Sequence, residues 1–190
     1  MFLLFLIIFF INSIKAEEIC FNINNNYTIN NSVLKITGEG IMCDCNAEGF
    51  EYEFNTTEIT SIEFSNRITQ IGKKCFSNFE NVKQIKFEEN SQLKIIKQNA
   101  FSNSGIEEVI IPKSVQEIED RSFEGCSELK FIKFENNSKI KSIGKKAFAN
   151  CEELIEINGI TQINQWNNKI VEGSYKLKYI SIDSTPSSIE

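Results

Sequence analysis

The chain has 190 residues, enough for one domain with a sizeable core and little more. Its formal charge is −6, with lysines and glutamates interleaved and no basic stripe carrying aromatics, so nucleic acid is not an expected partner. It contains no histidine, which excludes Ser-His-Asp and Cys-His catalysis and every histidine-ligated metal site.

The first predicted element is an apolar run from Phe2 to Ile11, followed by a polar break at Asn12 and the small residue Ala16. It reads as a secretory signal peptide, residues 1–16, cleaved after Ala16; an uncleaved anchor and a buried strand are the other readings. The run is shorter than the roughly 20 residues that span a bilayer. No second such run follows, so the mature chain is expected to have no membrane span. Secretion gives meaning to four Asn-x-Ser/Thr sequons, at Asn26, Asn30, Asn55 and Asn136. It also makes cysteines candidate disulfides. Residues 17–58 are expected to form an N-terminal capping region. Cys20, Cys43 and Cys45 lie there. They are either unremarkable thiols, or Cys20 pairs with Cys43 or Cys45 and staples the cap. Metal binding at the Cys-x-Cys pair lacks a further ligand.

From residue 59 the chain repeats itself. "IGKKCFSNFENV" from Ile71, "IKQNAFSNSGI" from Ile96, "IEDRSFEGCSEL" from Ile118 and "IGKKAFANCEEL" from Ile143 align on Phe76, Phe101, Phe123 and Phe148, spaced 25, 22 and 25 residues apart. Between them runs a second phrase: "ITSIEF" from Ile59, "VKQIKF" from Val82, "IEEVII" from Ile106, "LKFIKF" from Leu129, "LIEING" from Leu154 and a weaker "LKYISI" from Leu177. Alternation at the end of this phrase predicts a short strand. Periods of 20–29 residues with apolar residues at fixed offsets mark leucine-rich-repeat solenoids. One coil of about 23 residues cannot bury its own apolar face, but a stack of coils can. The expected fold is therefore a β-rich solenoid, a right-handed superhelix of short parallel strands. Its repeated core would be Ile71, Phe76, Ile96, Phe101, Ile118, Phe123, Ile143 and Phe148. After Leu154 the pattern weakens, with Trp166 near where the next Phe belongs. The last repeat of 59–190 reads as incomplete, so either the chain is truncated or its open end meets a partner.

The pattern L-x-x-I-x-I-P…I-x-x-x-A-F-x-x-C-x-x-L, best seen in "IEEVIIPKSVQEIEDRSFEGCSEL" and "KIKSIGKKAFANCEEL", resembles the BspA-like leucine-rich repeats. "SVLKITGEGIM" at 32–42 is similar to the stretch that often precedes them. The resemblance implies a secreted or cell-surface protein of a bacterium or protist parasite that binds or adheres to other proteins. A structural or antigenic surface component without a specific ligand is the alternative. It implies an extracellular or cell-surface protein as partner, no cofactor and no enzymatic activity.

Candidate sites outside the repeat logic are weak. The Gly-Lys pairs at 72–73 and 144–145 lack the upstream Gly and following Ser/Thr of a phosphate loop. Adjacent acidic pairs such as Glu107–Glu108 put their side chains on opposite faces of a strand. Asp44, Asp120 and Asp183 are too scattered for a calcium loop. Cys126 and Cys151 share one repeat position, filled elsewhere by Ser104 and Phe79, and read as buried thiols in a packing slot, with a disulfide as the other possibility. The remaining candidate is the outward face of the strands. One row reads Glu63, Lys86, Ile110, Lys133, Asn158, Ser181, and the other Ser61, Gln84, Glu108, Phe131, Glu156, Tyr179. Lys86, Glu108, Ile110, Phe131, Lys133 and Glu156 are the expected ligand-binding residues, with Ile110 and Phe131 forming a small apolar patch.

Overall fold

The computed structural model describes residues 18–19, 27–45, 52–160 and 168–182. Fourteen strands follow in chain order: β1 (Glu18–Ile19), β2 (Tyr27–Asn30), β3 (Val33–Ile36), β4 (Gly40–Met42), β5 (Ser61–Phe64), β6 (Ile68–Ile71), β7 (Gln84–Phe87), β8 (Ile95–Ile96), β9 (Glu108–Ile111), β10 (Glu117–Ile118), β11 (Phe131–Phe134), β12 (Ser142–Ile143), β13 (Glu156–Ile160) and β14 (Tyr179–Ile182). The only helical pieces among the described residues are single 3-10 turns at Thr56–Glu58 and Asn168–Val171. No helix among them is long and apolar enough to cross a membrane.

The chain winds as a solenoid. Each coil gives one strand of four or five residues to a long sheet, ordered β14-β13-β11-β9-β7-β5-β3-β2, and one of two to four residues to a second sheet, ordered β1-β4-β6-β8-β10-β12. Every pairing is parallel except the β2–β3 hairpin. The strand predicted from the apolar-x-x-Ile phrase is the long-sheet strand. The second sheet is built from the Ile that opens the other phrase, since β6, β8, β10 and β12 end on Ile71, Ile96, Ile118 and Ile143.

The winding begins before the first recognisable repeat. Val33–Ile36 pairs in register with Ser61–Phe64, and Leu34 and Ile36 are as buried as the later strand residues. Thus part of the segment read as a cap continues the same row of strands, and the antiparallel β2 covers its edge.

Between the sheets the core is a stack. Phe76, Phe101, Phe123 and Phe148 are fully buried. Their rings stack at centroid distances of 5.3, 5.1 and 5.5 Å, with interplanar angles of 15°, 14° and 28°. Identical side chains at identical offsets meet their own copies, which is how a short coil buries a large ring. Ile71, Ile96, Ile118 and Ile143 are likewise buried. At the N-terminal end the stack turns edge-on. Phe64 meets Phe76 at 5.3 Å and 86°, and Tyr52 packs on Phe79 and Phe54. The Tyr52 hydroxyl donates to the Cys75 carbonyl, and burial pushes that phenol well above its ordinary pKa.

Each Phe is flanked by two residues with left-handed backbone, one two positions before it and one two positions after: Lys74 and Asn78, Asn99 and Asn103, Arg121 and Gly125, Lys146 and Asn150. Asn and Gly suit that region, and they fill the second position in every copy.

The pattern resumes beyond Leu154. The Phe148 amide donates to the Ile170 carbonyl, as the Phe123 amide does to Ala147 and the Phe101 amide to Ser122. Ile170 thus stands where Ala147 and Ser122 stand before their Phe, and half-buried Val171 takes the Phe position. Trp166 lies outside the described residues. Ile180 occupies the strand position where Ile132 and Ile157 are sealed, yet is 41% exposed, because β14 is the last described strand of its sheet.

Candidate functional site

The long sheet has one face in the core and one in solvent. Burial along β9 and β11 alternates exposed-buried, so Ile132 and Phe134 point in while Phe131 and Lys133 point out. Most neighbours in the two outward rows are registered pairs, with breaks between Lys86 and Ile110 and between Asn158 and Ser181. Ser61 lies opposite Gln84, Glu63 opposite Lys86, Glu108 opposite Phe131, Ile110 opposite Lys133, and Glu156 opposite both Phe131 and Tyr179. Ile110 and Phe131 are 46% and 40% exposed, on adjacent strands and diagonal to each other. They share the face with Lys86, Glu108, Lys133 and Glu156, so it brings all six expected residues together.

Charge is distributed unevenly over it. Near the N-terminal end acids and lysines neutralise one another: Lys35 with Glu88 at 3.0 Å, and Glu63 with Lys86 at 3.9 Å. Further along, Glu108, Lys133 and Glu156 join no ion pair among the described residues.

One junction differs from the rest. β5–β7 and β9–β11 are in register at all four residues, whereas β7 and β9 are in register only at Gln84 and Glu108. The sequence supplies a reason. After β5, β7 and β11 the next residue's amide closes the last rung: Ser65 donates to the Ile36 carbonyl, Glu88 to Phe64 and Glu135 to Ile111. Proline holds that place after β9. Pro112 has no amide hydrogen and cannot close onto Phe87. An outer-face depression of about 680 Å³ lies there, lined by Lys83, Gln84, Lys86, Phe87, Glu108 and Ile110 among others.

Cysteine chemistry departs from expectation. Cys45 is bonded to Cys75, 30 residues on, with their Cα atoms 4.8 Å apart. The pairing of Cys45 with Cys20 is thereby corrected. Cys75, directly before Phe76, where Ala100, Ser122 and Ala147 stand in the later copies, is thus the repeat's anchor for the N-terminal segment. Cys43 is disulfide-bonded too, and Cys20 lies outside the described residues. The docking is close: a Cβ on Gly72 would stand 1.9 Å from the Cys43 carbonyl oxygen, so only glycine fits. Asp44 completes it, accepting from the Lys73 amide at 2.9 Å and the Lys97 ammonium at 3.0 Å. Burial raises the Asp44 pKa, but these donors outweigh it and the net shift is downward.

Cys126 and Cys151 are free and buried. Their slot is more than packing. Each thiol donates to the carbonyl of the previous coil's Phe, Cys126 to Phe101 at 3.1 Å and Cys151 to Phe123 at 3.3 Å; Ser174 does the same to Phe148 at 2.8 Å. Cys and Ser interchange because both are small donors. Burial pushes the Cys126 thiol up to about 11 and Cys151 in the same direction, which makes both poor nucleophiles.

Of the sequons, Asn30, Asn55 and Asn136 are exposed. Asn55 also caps the 3-10 turn, accepting from the Thr57 amide at 3.1 Å. Asn26 lies outside the described residues.

The repeat pattern described as the BspA type leucine-rich repeat region matches in 6 copies, over residues 49–178 and 137–190. The chain belongs to the BspA-type leucine-rich repeat family. No curated protein matches it. Among solved structures, this BspA-type chain is similar to the pneumococcal vaccine antigen PcpA, with TM-score 0.66 and 22% identity over 84% of this chain and 49% of that one. It therefore spans about half the length of that protein. It is also similar to the leucine-rich repeat protein of T. pallidum, with TM-score 0.55 and 19% identity over 81% and 77% of the two chains. At such identities the likeness establishes the solenoid fold.

Proposed function

We propose that this BspA-type chain is a secreted or cell-surface protein that binds an extracellular or surface protein through the outward face of its long sheet, with no catalytic step. The observation that carries this is the exposed pair Ile110 and Phe131, joined by Tyr179 on a mostly polar face that lies over the stack. The core positions are committed to stacking, so the outward rows are where a ligand surface can vary without cost to the fold. The signal-like segment 1–16, the capping role of 17–58 and glycans on the sequons belong to the same proposal.

The test pairs binding with melting. Full chain would be titrated against purified extracellular-matrix and cell-surface proteins, alongside Phe131→Glu and Phe134→Glu. Phe131→Glu should abolish binding while changing stability by less than about 0.5 kcal/mol. Phe134→Glu should unfold its coil. Full binding retained by Phe131→Glu refutes the outward face as the site. No binding to any of these surfaces favours the structural or antigenic reading. Mass spectrometry of the secreted product addresses localisation: the mature N-terminus should be Glu17, and one at Met1 refutes this export route.

A further inference from the structure

Four residues of the outward face form a column across four adjacent strands. Glu108 lies opposite Phe131, Phe131 opposite Glu156, and Glu156 opposite Tyr179. Adjacent strands are about 4.8 Å apart, so an acid and an aromatic ring alternate at that interval over roughly 14 Å. Both rings are exposed, Tyr179 at 63%, and neither acid is engaged by a lysine among the described residues. The rest of the face lacks this arrangement. Its other acid, Glu63, stands 3.9 Å from Lys86, and Gln84 and Ser61 continue the column with neutral side chains.

A ring face attracts a cation, Arg more often than Lys, and a carboxylate beside the ring adds a charge-assisted hydrogen bond. We infer that the column is a docking strip for a basic, arginine-bearing extended segment of the protein partner, lying across the strands. Phe131 with its flanking Glu108 and Glu156 takes one guanidinium, and Tyr179 with Glu156 takes a second. The centres of these two subsites are about two strand spacings apart, near 10 Å. An extended chain rises about 3.3–3.6 Å per residue, so the two arginines are about three residues apart in the partner.

The neighbouring row sets the segment's direction. Lys133 repels a cation on that side, while Ile110 stands opposite it at the edge of the depression left by Pro112. Basic side chains therefore lie over the column and an apolar side chain of the same segment lies toward Ile110.

This inference rests on the outward face being the binding face, and its test is separate. The probes are short synthetic peptides with two arginines three residues apart and a leucine beside them, and the same peptides with citrulline for arginine. Binding to the full chain would be followed by titration and by chemical-shift changes at Phe131 and Tyr179. The arginine peptides should bind at least tenfold more tightly than the citrulline ones and weaken with salt. Glu108→Gln and Glu156→Gln should each weaken binding about fivefold to tenfold, and Glu63→Gln, on the same face but outside the column, should leave it unchanged. Equal binding of the citrulline peptides, no binding of any peptide, or equal losses from Glu63→Gln and Glu156→Gln would each overturn the inference. The Phe131→Glu experiment with whole surface proteins still reads the face itself, so a failure of the strip and a failure of the face are distinguishable.

Discussion

Phe123 lies inside the stack, with Phe101 at 5.1 Å on one side and Phe148 at 5.5 Å on the other. Removing it to Ala deletes a fully buried side chain, at a cost of about 3–5 kcal/mol. It also deletes two ring–ring interactions worth about 0.5–1.5 kcal/mol each beyond burial. A domain holds only about 5–15 kcal/mol in total, so Phe123→Ala is expected to be barely folded. Phe123→Leu isolates the stacking, because it keeps most of the apolar volume and loses both ring pairs, about 2 kcal/mol. With a urea slope of about 2 kcal/mol per molar, that moves the unfolding midpoint down by about 1 M. Phe131→Leu, at an exposed site, is the control and should move it by a quarter of that or less. The measurement is urea denaturation followed by circular dichroism. If Phe123→Leu shifts the midpoint no more than Phe131→Leu, the rings fill space without contributing through their stacking, and the argument from repeated identical side chains fails.

Cutting the Cys45–Cys75 bond with Cys45→Ser should lower stability by about 3 kcal/mol or less, and limited proteolysis should then cut the N-terminal segment before the repeats. Pro112→Ala restores an amide donor after β9, so amide exchange around Gln84–Phe87 should slow, while stability changes by about 1 kcal/mol or less. Unchanged exchange there would mean that the proline does not cause the open junction. Asp44 has a folded pKa below its ordinary 3.8, so its ionised form favours the fold above that value and the contribution disappears as pH falls through the folded pKa. Asp44→Asn should therefore be less stable than the parent near neutrality and converge with it below about pH 4, as read from melting temperatures across pH.

The stack was legible because it is redundant. Phe76, Phe101, Phe123 and Phe148 state the same requirement four times, and a coil cannot drop its ring without opening its neighbours. Beyond Leu154 the requirement persists in weaker form: Val171 takes the ring's place, a substitution hidden by a change of side chain and spacing. What was hardest to read depends on pairwise geometry stated once. Cys75 looks like any small residue before a Phe, and only the winding brings Cys45 to it. Pro112 matches the repeat consensus, yet its effect comes from the hydrogen it lacks, which is visible only beside the Ser65, Glu88 and Glu135 amides. Cys126 and Cys151 are the buried free thiols that their shared repeat position implies, while the carbonyls they donate to emerge only once the coils are stacked. The outward face was readable as a face because alternation fixes its direction. Its acid–aromatic column needed the register between strands.

The junction at Pro112 also has a mechanical meaning. There the long sheet is joined at a single registered pair, while on the opposite side β8 and β10 remain fully paired and Phe101 still stacks on Phe123. Such a seam is a hinge with its pin on the short-sheet side. A bending load on the rod would concentrate at this joint, and it would gape on the outward side before any ring of the stack was pulled apart. The part toward the N-terminus carries the disulfide, and the part beyond carries Phe131, Glu156 and Tyr179. Flexing would therefore change the angle at which the one presents itself to the other while both keep their internal shape.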